Sequence, residues 1–293
     1  MMADIGIWLQ VLLWGLYAGC IYILLATGLT LIFGVMKIVN FAHGEFLMLG
    51  AFFSFWAVNI LNLNPYLAIP LAMTIMAAVG VLTERICFRP ILGTSKLNEI
   101  IVSLGLIMIF QNMVAHVWGN DGKSIKSPYE KITFPVGSVN IPLDYVIIII
   151  VTILVLLGLH FFLNRTSIGR AMRATSQNRD AAKLVGINVE RMDMLSFGIG
   201  SSLAALGGGL WAVSGQVFDY QSGSIPAIKA FAIIILGGLG SIQGAVAGGL
   251  IYGIIESIAA YLIGAAWKDA TSFLILIIVL VIRPSGIFGG VEE

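Results

Sequence analysis

Few residues in this chain can do polar chemistry, and most of them sit beside or inside long apolar runs. Asn40, His43 and Glu45 cluster where one charge-free run gives way to the next. Polar groups this near hydrocarbon are costly unless paired or hydrated, so they mark a functional position by default. Two readings fit them equally. Asn40 can cap a helix that follows, with Glu45 in its positive first turn. Alternatively the three form a polar hinge at the cytoplasmic end of a transport pathway, where a gate would sit. Glu256 lies deep within another apolar run, 245–263. A carboxylate there must face the protein interior, a partner or water. A structural hydrogen bond to a neighbouring helix is slightly favoured over a place on the pathway wall. Lys229 reads as a side chain that snorkels to the outer interface.

A basic island, residues 164–192, holds the remaining chemistry. The spacing predicts a short helix from Arg179 to Val185. Asn178 is its cap, Asp180 complements its positive end, and Gly186 stops it. Ala181, Ala182, Leu184 and Val185 give it a small apolar face flanked by Arg179 and Lys183. Such a helix either docks onto another protein or rests on anionic headgroups.

No constellation for covalent catalysis is present: there is no metal-ligand spacing, hydrolase triad or redox motif. Gly122-Lys123-Ser124 imitates the end of a phosphate-binding loop, but the first glycine of that motif would fall at Val117. The chain is therefore expected to carry no nucleotide site, no cofactor and no nucleic-acid surface. Cys20 and Cys87 both lie in apolar runs and read as small core residues.

The elements that hold these residues are set by the solvent. Residues 5–36, 46–83, 100–120, 145–164, 194–218, 230–255 and 270–282 contain no Asp, Glu, Lys or Arg. A bilayer-spanning helix needs ~20 mostly apolar residues, and most of these runs supply them. Hydrophobic residues make up 59% of the chain and charged ones 11%, against ~25% charged in an ordinary globular domain. The expected architecture is an all-α polytopic membrane protein forming a single domain over 1–293. Spans fall at about 7–33, 43–62, 66–88, 98–118, 144–163, 193–215, 245–263 and 267–283. The segment 228–238 is half a span long and ends in Gly237-Gly238-Leu239-Gly240, so it reads as a short or broken helix. The count is eight to nine. Lys and Arg concentrate in 164–192 and the loops that alternate with it, which places that island in the cytoplasm, the N-terminus outside and the C-terminus inside. Gly15 and Gly19, and Gly240, Gly244, Gly248, Gly249 and Gly253, recur at four-residue spacing. They predict close helix packing within the chain, with a dimer seam as the alternative.

Several of these segments resemble one family. Asp180-Ala181-Ala182-Lys183-Leu184-Val185-Gly186 is similar to the Glu-Ala-Ala-x-x-x-Gly coupling motif of ABC-importer permeases, with Asp for Glu and without the Ile-x-Leu-Pro that follows in other branches. The segment Gly34 to Ala51 resembles the signature of the LivH-type branched-chain amino acid permeases. So do Leu236 to Ala245 and the tail Arg283 to Gly289. The resemblance implies a permease subunit that forms half of a translocation pathway for branched-chain or related amino acids. It also implies its partners: a second permease subunit, two ATP-binding cassette subunits that use ATP and Mg, and a soluble substrate-binding protein outside the membrane. Residues 179–186 would then be the ATPase coupling segment. Permeases for urea or short amides belong to the same family and remain an alternative. A secondary transporter or channel is the rival class, since broken helices also occur there. The scarcity of intramembrane charges that could couple to an ion gradient stands against it.

Overall fold

α1 (Met2–Met36) is a 35-residue helix, and it forms the shaft around which the chain is wound. In the computed structural model, which describes residues 2–136, 139–282 and 286–287, it is followed by α2 (His43–Ile60), α3 (Pro65–Thr83) and α4 (Lys96–Trp118). Asn64 caps α3 by accepting from the Tyr66 N–H at 3.0 Å. α3 continues through a wide π-type turn, Glu84–Phe88, and a 3-10 turn, Arg89–Ile91. A two-stranded antiparallel hairpin, β1 (Thr133–Val136) and β2 (Val139–Pro142), interrupts the connection to α5 (Leu143–Arg165). Two short helices follow, α6 (Ser167–Gln177) and α7 (Arg179–Leu184). The chain then returns through α8 (Val189–Val213), α9 (Ser224–Gly237), α10 (Ile242–Leu262) and α11 (Lys268–Ile282).

Six of these helices are long and apolar enough to cross a bilayer: α1, α3 with its extension, α4, α5, α8 and α10. α9 is a shorter apolar helix, as its glycine-rich end predicted. α2 and α11 are shorter than the longest spans, and the chain is an all-α polytopic membrane protein. The sequence reading did not anticipate the hairpin or α6. The tail motif lies mostly outside the described residues, as do Arg283 and the C-terminus.

Burial separates shafts from rim. The apolar windows of α1 and α8 are 89% and 83% buried, whereas those of α4 and α5 are 22% buried. α1 and α10 run antiparallel with backbones in near contact. A Cβ on Gly15 would sit 2.8 Å from the Ile254 Cα, and one on Gly19 would sit 3.1 Å from the Gly249 carbonyl. The four-residue glycine spacing is thus spent on packing within the chain.

The entry of α2 is the least expected feature. α1 ends at Met36, and Lys37 takes a positive φ of 58°. His43 Nε2 then lies 3.1 Å from the Leu25 carbonyl. Leu25 is eleven residues before Met36, or ~16 Å back along the helix at 1.5 Å per residue. Residues 37–42 therefore climb back beside α1, and α2 begins near mid-height. α9 begins at the same level: a Cβ on Gly44 would overlap the Gly223 carbonyl. Two helix starts, α2 and α9, meet inside the bundle.

Candidate functional site

The sequence-selected residues fall at three places. Asn40, His43 and Glu45 come together at the α2 entry, all three with exposures of 1% or less. Asn40 does not cap α2. Its Oδ1 accepts from the Ala42 N–H at 3.0 Å, closing a turn before the helix, and Ala42 occupies the cap position without a side-chain bond. His43 donates from Nε2 to the Leu25 carbonyl at 3.1 Å, since a carbonyl can only accept. Glu45 lies in the positive first turn of α2, where the helix dipole favours a carboxylate. Its Oε1 accepts from Gln111 Nε2 at 2.9 Å, and the same amide donates to Ser224 Oγ at 2.9 Å. One glutamine on α4 thus ties the first turns of α2 and α9. His43 and Glu45 are not at the end of the bundle that carries α6 and α7, where the spacing had put the cluster, whereas Asn40 stays nearer that end, since the adjacent Val39 N–H donates to Glu99 in the first turn of α4. His43 lies level with Leu25 and Gly200, well inside α1 and α8, because the chain doubles back after Met36.

Glu256 is separate from that cluster and is not isolated. Its Oε1 is 2.9 Å from Lys229 Nζ and 3.3 Å from Lys268 Nζ. Lys229 also reaches Asp269 Oδ1 at 2.7 Å and donates to the Tyr22 hydroxyl at 3.0 Å. Lys229 does not snorkel: its side chain is 4% exposed. It points inward from α9 because α10 and α11 offer two carboxylates there. The four side chains sum to zero formal charge, which makes their burial tolerable. They line a cavity of about 360 Å³ at the end of the bundle opposite α6 and α7, together with Tyr17, Tyr22, Trp211 and Gln221. Leu47, Ile225 and Pro226 also line it. The cavity therefore ends on the first turns of α2 and α9, beside the Gly44–Gly223 contact. Sequence reasoning missed Gln111, Asp193 and Asp269. A polar residue in the α4 run was the one available signal, and it went unused for Gln111.

The third place is α7. Asn178 Oδ1 accepts from the Asp180 and Ala181 N–H groups at 3.1 and 2.9 Å, and Gly186 takes φ +84° at the stop, as predicted. The apolar face is divided, however. Ala182 is 3% exposed and packs inward, while Leu184 and Val185 are 89% and 76% exposed. Arg179 turns inward too. Its guanidinium forks onto Asp193 at 2.8 and 2.7 Å and donates to the Val35 carbonyl at 2.9 Å. Asp193 is 1% exposed. A bidentate pair of this kind is directional as well as strong. It fastens α7 to the last turn of α1 and the first turns of α8.

Residues 11–280 match the profile of a family described as branched-chain amino acid transport system / permease component. The chain is 35% identical to the high-affinity branched-chain amino acid transport system permease protein BraD of Pseudomonas aeruginosa, with 99% of both chains covered. It is 34% identical to the corresponding permease protein LivH of Escherichia coli strain K12, over 97% of this chain and 96% of that one. A probable branched-chain amino acid transport permease protein LivH of Methanocaldococcus jannaschii is 29% identical over 91% and 88%. Among solved structures, PsaBC from Streptococcus pneumoniae in complex with Fab has a similar fold, with a TM-score of 0.54 at 14% identity and 97% of both chains covered.

Proposed function

Because this chain belongs to the family of branched-chain amino acid transport permease components, we propose that it forms half of the translocation pathway of an ABC importer for branched-chain or related amino acids. The match over residues 11–280 carries this reading. The chain acts as one domain in the cytoplasmic membrane, with its N-terminus outside and its C-terminus inside. A soluble binding protein delivers substrate to the outer face. A second permease subunit completes the pathway. Two ATPase subunits bind and hydrolyse ATP with Mg, and this chain does no covalent chemistry.

The geometry supports a division of labour. Leu184 and Val185 present apolar surface beyond the basic loop, where an ATPase subunit would bury them. Movement of α7 is passed on through Arg179 to the ends of α1 and α8. Those two helices supply Tyr17, Tyr22 and Trp211 to the outer cavity. A shift at the coupling segment thereby changes the walls of the cavity. The α2–α9 junction, held by Gln111, Glu45 and Ser224, is the closure beneath it. In this scheme Asn40, His43 and Glu45 set the gate, and Glu256 sets the charge of the outer wall.

The test is reconstitution with the partner permease, the ATPase subunits and the binding protein. Leucine uptake should require ATP and binding protein and should persist when ion gradients are collapsed. Uptake by the chain alone, driven by an ion gradient, would refute the assignment.

A further inference from the structure

A second cavity, of about 380 Å³, lies at the α6–α7 end between α1, α5, α6 and α10. It is not a continuation of the outer cavity. α1 turns Ala18 and Tyr22 to the outer cavity but Thr30 and Gly34 to this one. At ~100° per residue these two pairs point roughly 120° apart around the helix.

Three observations bear on what it holds. First, Leu31, Leu163 and Met172 give it apolar wall, while its polar lining is neutral or basic and includes Arg173, His160 and Gln177. No carboxylate lines it among the described residues. Arg173 is positioned by Asn164, whose Oδ1 accepts from its Nη1 at 2.7 Å, and Arg165 and Arg170 are exposed nearby. Second, the start of α10 faces it. Gly240, Ser241, Ile242 and Gln243 all line the cavity, so the positive end of a 21-residue helix points there. Gly238 and Gly240, with φ of 99° and 83°, make the turn that brings this end round. Third, Thr30 is 1% exposed, lines the cavity, and has a hydroxyl without a hydrogen-bond partner. A buried hydroxyl without a partner is costly, and a bound acceptor would relieve it.

The neighbouring surface indicates the source of the anion. α5 exposes Ile150, Ile153, Leu154, Leu157 and Phe161, an apolar face that runs down to the cavity rim at His160 and Asn164. That face suits acyl chains. A basic rim, a helix start and apolar walls suit a phosphodiester whose chains lie along α5. We propose that this cavity binds the headgroup of an anionic phospholipid. The glycine turn at 237–244 thereby gains a role that the transport reading leaves open: it aims a helix start at the bilayer-facing pocket.

The test uses the full chain purified in detergent and titrated with phosphatidylglycerol, phosphatidylcholine or inorganic phosphate, with retained lipid read by native mass spectrometry. Phosphatidylglycerol should be retained and phosphatidylcholine should not. Arg173→Gln should weaken retention about five-fold, the loss expected for one cation near an anionic lipid surface. Arg191→Gln, at an exposed site that does not line the cavity, should change it little. Thr30→Val leaves no hydroxyl to be orphaned, so it should fold normally and also lower retention. Equal retention by Arg173→Gln and Arg191→Gln would overturn the proposal. So would equal retention of phosphatidylcholine, or displacement of phosphatidylglycerol by millimolar phosphate, which would point to a free anion. None of these readouts depends on transport.

Discussion

Removing Lys229 should destabilise the bundle more than any surface charge change. Its ammonium stands 2.9 Å from Glu256 and 2.7 Å from Asp269. Lys229→Met would leave two carboxylates facing one cation, Lys268, at 3.3 Å from Glu256. Breaking a buried ion pair from one side costs ~3–5 kcal/mol because the remaining charge stays desolvated. Two features pull the value down. Asp269 is 37% exposed and can rehydrate, and Glu256 keeps a second cation. The expected loss is therefore about 3 kcal/mol, the lower end of that range. Glu256→Gln added to Lys229→Met restores neutrality and should recover about half of it. The assay is unfolding of the purified chain in mixed micelles with increasing SDS, run as a cycle over the two single variants and the double variant. The reasoning fails if Lys229→Met lies within ~0.5 kcal/mol of the unaltered chain, the scatter of neutral surface changes. It also fails if the double variant is less stable than Lys229→Met alone.

Leu184→Asp and Val185→Asp should each abolish stimulation of the ATPase subunits while unfolding midpoints stay put, since both side chains are already exposed. Ala182→Glu should instead lose ~2 kcal/mol of stability, because it forces a charge into a packed site; unchanged stability there would refute the inward placement. Gly208→Ala should cost ~1–3 kcal/mol and broaden the size-exclusion peak, because its Cβ would overlap the Leu47 carbonyl where α8 crosses α2. Gly105→Ala, with open space around it, should gain up to ~1 kcal/mol from helix propensity. In a background lacking Cys20 and Cys87, Ser124→Cys should react with an impermeant external thiol reagent and Ser167→Cys should not; the opposite pattern would invert the proposed orientation.

Much of the architecture was legible because it depends on local composition. Charge-free runs found the spans to within a few residues. The cap and stop of α7 were legible because Asn178 bonds to N–H groups two and three residues on, and because a glycine stop is a local backbone preference. α6 was missed because its pattern is short and basic and lies within a loop rich in polar residues. The β-hairpin was missed because two four-residue strands leave little periodicity to detect.

By itself, then, the sequence determined the solvent, the order of helices and the cap and stop of α7, since each follows from hydrophobicity, charge or contacts within one turn. Tertiary structure alone decided that α2 starts beside Leu25, that Lys229 faces Glu256 and Asp269, and that Ala182 points inward while Leu184 points out. These depend on the rotation and height of each helix against neighbours far along the chain. An apolar run specifies that a helix crosses the membrane. It does not specify which side of that helix another will meet, because in a bilayer every apolar face is equally well solvated until close packing and buried charge pairing select one.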